Sequence, residues 1–344
     1  MHQIDRSQWV KSAARAVRLL LLLALSATLS RAVAADSPQV LVLEREIPLD
    51  HVSGRIDHMA VDLERRRLAV AELGNNSVDL IDLDSGRAIH RISGLKEPQG
   101  IAYIGASDLF AVASGGDGSV RLFKGSDFSP AGVVSLGDDA DNIRLKGATG
   151  QIVVGYGEGG LAVIDSATHS KLADVPLPAH PEGFRLSNSG NRAFVNLPDA
   201  HQIVSVDLDS REPLANWQTA ELRANFPMSI DEASRTLAVA FRDPPRLVLF
   251  DTEDGRIAAD VATCGDSDDV FFDDRRARIY VSCGAGFIEV FDRRGNAVQR
   301  IAQVKTYSGA RTSLFVPELG RLFVAVRAGL PANDAKILVF RPQP

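Results

Sequence analysis

From residue 40 onward the chain is written in short apolar runs separated by turns rich in Gly, Asn and Asp. Seven of these runs share one shape, a β-branched or aromatic stretch that usually ends in Asp. They are 78–82, 120–124, 161–165, 203–207, 247–251, 288–292 and 337–341. Their fourth residues fall at Ile81, Phe123, Ile164, Val206, Phe250, Phe291 and Phe340, in steps of 42, 41, 42, 44, 41 and 49. Only the last step is long, and it carries an inserted loop over 327–335. A second run precedes each of the seven, as in Leu68-Ala69-Val70-Ala71 and Ile279-Tyr280-Val281-Ser282. Turns such as Gly74-Asn75-Asn76 and Gly115-Gly116-Asp117-Gly118 join the paired runs, which reads as hairpins. No sustained 3.6-residue period appears after the first 35 residues, so helices should be rare.

A period near 42 residues with about four short strands in each unit defines a propeller blade. A four-stranded blade cannot bury both faces alone. Packed face to face around an axis, blades bury each other, and closing the ring removes the exposed ends. The seventh repeat stops at Pro344, just after its third strand, while the run from Val40 to Ile47 stands before the first full repeat. The sequence therefore predicts an all-β fold: a seven-bladed β-propeller of four-stranded blades, with the last blade closed by the N-terminal strand.

The repeats also resemble a known family. Tyr280-Val281-Ser282-Cys283, followed by Gly286-Phe287-Ile288-Glu289-Val290-Phe291-Asp292, resembles the YVTN-type β-propeller repeat of exported YncE-like bacterial proteins. Ala69-Val70-Ala71-Glu72 with 74–82 resembles it too. The likeness runs through the chain after residue 35 and is degenerate in blades two, three and five. It implies the fold and export, and assigns no reaction. WD-type repeats are not matched, because no Trp-Asp pair closes a blade.

The first 35 residues change the picture of where the protein works. Arg6, Lys11, Arg15 and Arg18 precede the apolar run Leu19 to Leu29, and Ala32-Val33-Ala34 supplies small residues for cleavage. This is the pattern of a secretory signal peptide, and the apolar run is shorter than the roughly 20 residues a span needs. The expected organisation is a signal peptide over 1–35 and a single propeller domain over 36–344, periplasmic or secreted, with no membrane span after cleavage. Without the five basic residues and one acidic residue of the leader, 33 basic residues face 43 acidic ones, a net charge of −10. That balance argues against a nucleic-acid partner, which needs a basic footprint. It leaves room for cationic ligands or metals. A monomer is expected.

Candidate chemistry lies in the segments that enter each blade, since the first strand lines the channel and its entry loop sits at the mouth. These segments contribute Arg55, Asp57, His58, Gln99, Asp141, Asn142, His180, Glu182, Arg223, Asn225, Asp268, Asp269 and Arg311. Two readings stand. As a site, Asp141, Glu182, Asp268 and Asp269 offer hard oxygen ligands of the kind calcium or magnesium takes, or the arginines clamp a carboxylate. As structure, Asp and Asn cap turns and the charges stay solvated. Cys264 and Cys283 both fall on the mouth face of blade six, where a disulfide is geometrically reasonable; two buried thiols are the alternative.

Other motifs mislead. Gly155-Tyr156-Gly157-Glu158-Gly159-Gly160 spells G-x-G-x-x-G but runs into a strand where a dinucleotide site needs a helix. No H-E-x-x-H or G-x-S-x-G pattern occurs. The function expected is a binding or scaffolding module that takes an unknown small molecule or periplasmic protein at the channel mouth. The alternative is a metal-dependent, lactonase-like hydrolase or lyase with the acidic residues as ligands and His58 or His180 as base.

Overall fold

The computed structural model describes residues 39–147, 149–329 and 334–344; the leader expected over 1–35 lies outside them. Seven antiparallel four-stranded sheets are present. Six are built from consecutive strands spanning 59–93, 98–135, 140–176, 184–218, 223–262 and 267–305. The seventh runs Ser313–Val316, Arg321–Val326, Lys336–Pro342 and then Leu41–Pro48, so the N-terminal strand closes it. The first strands touch in sequence around a closed ring, from blade one to blade seven and back. Helix is confined, among the described residues, to the short 3-10 turns Leu73–Asn75 and Pro198–Ala200. The false nucleotide motif is the hairpin between Gln151–Tyr156 and Gly160–Asp165.

The closing strand copies the fourth strand of the other blades, including its irregularity. In blades one to six the fourth strand carries an extra residue between the partners of the third and fourth residues of the repeated five-residue run, as at Leu80/Ile81 and Val290/Phe291. In blade seven the same shift falls between Leu43 and Arg45, opposite Phe340 and Val339. A bulge of one residue flips side chains between faces. Leu41 therefore packs with Tyr280 and Ile288 of blade six, while Ile47 packs with Leu68, Val70 and Ile81 of blade one. One strand thus seals both seams of its blade.

Third-strand aspartates organise the turns that follow. Asp82, Asp165, Asp207 and Asp251 each accept a backbone N–H two or three residues on. Asp292 does not, because its strand continues to Arg294.

Cys264 and Cys283 form a disulfide across a sequence separation of 19 within blade six. Closing a loop of that length removes about 3 kcal/mol of chain entropy from the unfolded state. A Cys264→Ala/Cys283→Ala variant is expected to melt several degrees lower than the wild type in a thermal scan without reductant. Equal midpoints would mean that the bond contributes nothing.

Candidate functional site

Strand pairing aligns the seven inner strands without appeal to sequence. Met59, Ile101, Ile143, Phe184, Met228, Val270 and Ser313 each face a valine on the second strand of their blade. The residues just before them enter at the mouth, and the residue just after each points back to the channel. In blades two, three, five and six the entry carries an extra residue relative to its partner strand, between Pro98 and Ile101, Ala140 and Ile143, Asn225 and Met228, and Ser267 and Asp269. Such bulges re-aim side chains. Close backbone approach then fixes Asp141: a Cβ on Gly100 would lie 2.1 Å from the Asp141 carbonyl oxygen, so the two inner strands meet only because that residue is glycine.

The result is a narrow cavity of about 40 Å³ at one end of the channel. Of the expected residues, Arg55, Asp57, His58, Asp141, Asn142, Glu182, Asp268 and Asp269 line it. Arg311 stands just beside it, bonded to Asp266 and, through Nε at 3.0 Å, to Asp268. Four others are placed elsewhere. Gln99 donates to Asp139 at 3.0 Å, and His180 Nδ1 lies 2.6 Å from the Gly157 carbonyl oxygen. Arg223 begins its strand exposed. Asn225 is buried between blades, donating to Asn196 and to the Gln202 carbonyl; it ties blade four to blade five and does not face the cavity.

The expected calcium or magnesium ligands do not converge. Among the described residues, no three of Asp141, Glu182, Asp268 and Asp269 bring carboxylate oxygens within 4.8 Å of one another. Asp268 is instead gripped by Arg242 at 2.5 Å and by Arg311, and Asp269 accepts the Ser313 N–H at 2.7 Å. The cluster that does gather, Cys264, Cys283 and Glu289, has its two sulfurs joined to each other. The arginines named from the sequence are also committed or misplaced: Arg55 pairs with Asp57 at 2.7 Å, Arg311 with its two aspartates, and Arg223 lies outside.

Two pairs of charges lack ion-pair partners. Asp141 and Glu182 form none within 4.0 Å among the described residues; Asp141 receives only the Asn142 side-chain amide, at 3.2 Å. Arg144 and Arg185 form none either. Arg144 donates to the carbonyls of Phe184 at 2.9 Å and Ile143 at 2.7 Å and to the Asn142 side chain at 2.9 Å. Arg185 donates to the Phe184 carbonyl at 3.0 Å, one of the five N–H groups a guanidinium offers. These two arginines escape a search of entry segments because they lie one position inside the strand. At the same register the other blades carry Ala60, Ala102, Ser229, Phe271 and Leu314. A charge breaking an apolar inner strand is the signal that would have found them.

Burial governs the electrostatics. It raises Asp141 well above the usual carboxylate range, helped by the neighbouring charges of Asp57, Glu182 and Asp139. Glu182 is raised by burial too, with His180 opposing and Asp268 adding. Asp57 is raised by burial against the pull of Arg55 and Arg311, and Asp269 goes well up by burial despite the Ser313 N–H. His58 is pushed down to about 3 by burial and then by Arg144, so it is a neutral imidazole at neutral pH. Burial lowers Arg185 to about 10, and Arg144 falls by burial and by the nearby Arg185 charge.

No family model and no curated protein matches the chain. Solved structures do. A chain of a structure described as "Crystal Structure of Mitotic Checkpoint Complex" superposes with a TM-score of 0.75 at 13% identity, over 88% of this chain and 92% of that one. Another, "Crystal structure of RRP9 WD40 repeats", gives 0.74 at 11% identity, over 86% and 96%. At such identities the likeness is one of fold. The protein is a seven-bladed β-propeller, a member of the broad class of repeat-built propellers.

Proposed function

We propose that this is an exported propeller of the YVTN-repeat type that acts as a binding module, taking a cationic group of its ligand at the channel mouth. The observation that carries this reading is the pair Asp141 and Glu182: two desolvated carboxylates facing one cavity, with no ion-pair partner among the described residues. A buried charge without a partner is costly, and an ammonium or guanidinium would supply one. Support for a binding role also comes from the fold, since one solved chain that it resembles belongs to a checkpoint complex. Export rests on the leader residues and on the repeat resemblance. The hydrolase reading finds no converging set of metal ligands to support it.

The test is thermal melting and titration calorimetry with small primary amines such as butylamine. Wild-type protein should bind and melt higher. Asp141→Asn/Glu182→Gln should fold, melt at the same temperature with or without amine, and show no heat of binding. An amine response unaffected by the double substitution would overturn the assignment.

A further inference from the structure

Arg144 and Arg185 face two cavities at once. Besides the mouth cavity they line a second space of about 320 Å³ further along the channel, and His58 and Asp269 are shared between the two as well. The rest of that second wall is mainly apolar, with Ala60, Ala102, Phe271 and Leu314 at the same register as the arginines or across from them. The charges in this second cavity do not balance. Two guanidiniums meet a single carboxylate, Asp269, which already accepts a backbone N–H, and an imidazole held neutral by burial. Both arginines are half-buried, so they have lost part of their hydration without gaining an anionic neighbour within 4.0 Å. Arg185 keeps four N–H donors beyond its single described hydrogen bond.

From this juxtaposition we infer a second subsite in the channel, which binds an organic monocarboxylate with a short apolar body. The inference rests on reading the channel as a ligand site, but the carboxylates that carry the amine reading, Asp141 and Glu182, do not line this second space. The planar forks of Arg144 and Arg185 suit a carboxylate and add geometry to charge. Two guanidiniums set against Asp269 alone leave these walls positive, and an anionic ligand offsets that excess. The apolar body would pack against Ala60, Ala102, Phe271 and Leu314, which line the space. Inorganic anions would meet the arginines but leave those surfaces wet.

The experiment compares hexanoate, hexanamide, acetate and inorganic phosphate by titration calorimetry on the purified protein. Hexanoate should bind at least ten times more tightly than acetate, and hexanamide should not bind. Arg185→Met should abolish hexanoate binding. Leu314→Asp, which places a carboxylate on a wall that the mouth does not share, should abolish it as well while leaving the butylamine response, which shows that the channel is intact. The mouth variant Asp141→Asn/Glu182→Gln should still bind hexanoate, so failure of the mouth reading and failure of this one are distinguishable. Equal affinity for hexanoate and hexanamide would overturn the carboxylate subsite. Phosphate binding as tight as hexanoate would overturn its apolar part. Hexanoate binding unchanged in both Arg185→Met and Leu314→Asp would place any binding elsewhere.

Discussion

Removal of residues 36–48 is expected to unfold the ring, not merely to trim it. The deleted strand pairs along its length with Lys336–Pro342. It buries Leu41 and Ile47 almost completely, 3% and 1% exposed, and does so in two different seams. Two fully buried aliphatic side chains contribute roughly 3–6 kcal/mol. The strand also brings ion pairs from Glu46 to Lys336 at 2.8 Å and from Glu44 to Arg321 at 2.5 Å and to Arg341; exposed pairs of this kind add little. More costly is the edge left behind. Without its partner, Lys336–Pro342 presents an unpaired ladder, and blades six and one lose the contacts that Leu41 and Ile47 supplied. Set against the total stability of about 5–15 kcal/mol typical of a domain, the loss is enough to abolish cooperative folding near 37 °C. Circular dichroism melts of the full and shortened proteins would check this. Leu41→Ala and Ile47→Ala offer graded versions, each expected to cost about 2–4 kcal/mol. An unchanged melt after deletion would mean that blade seven holds with three strands.

That closure is visible in the sequence because it repeats. The third-strand runs share a length and a near-constant spacing, even in blades two and seven, where Lys124 and Arg341 replace the terminal Asp. A clasp follows from a last repeat that is one strand short. The entry segments are visible for the same reason, as each precedes an apolar run at a fixed offset. Which neighbour takes each side chain is not. Asn142 stands one residue before Ile143, faces the cavity and accepts from Arg144, while Asn225 stands three before Met228, level with Ala140, and turns between blades to Asn196. That choice depends on bulges and on contacts across blade seams, which have no local sequence mark. Arg144 and Arg185 sit inside strands otherwise read as apolar, and only the register shows them side by side on adjacent blades. Residue type alone suggests metal ligands here, whereas Arg242 and Arg311, distant in sequence, pair with Asp268.

The same crowding of charge predicts how stability changes with pH, with two opposing signs. Asp141 is raised in the folded protein above its unfolded value of about 3.9. The fold therefore binds its proton more tightly than the unfolded chain does. Its contribution is fully present below about pH 4 and is lost as pH rises through the raised folded value. His58 works the other way. Its folded value of about 3 lies below its unfolded one near 6.5. Stability from the neutral ring is full above pH 6.5 and is lost as pH falls towards 3, by at most roughly 1.4 kcal/mol for each pH unit. Substitution separates the two. Asp141→Asn keeps an oxygen for the Asn142 amide and removes the charge that Asp57 and Glu182 oppose. It should melt several degrees higher than the wild type at pH 8, with the advantage shrinking to nothing near pH 4. His58→Gln should flatten the wild-type loss of stability between pH 6.5 and 4. Turn aspartates such as Asp165 and Asp207, whose values are lowered by the backbone N–H groups they accept, lose their contribution only below about pH 4. They leave the window above it to the channel groups. A pH-independent gap between Asp141→Asn and the wild type would mean that the carboxylate is hydrated in the fold, and the case for a desolvated, cation-seeking mouth would go with it.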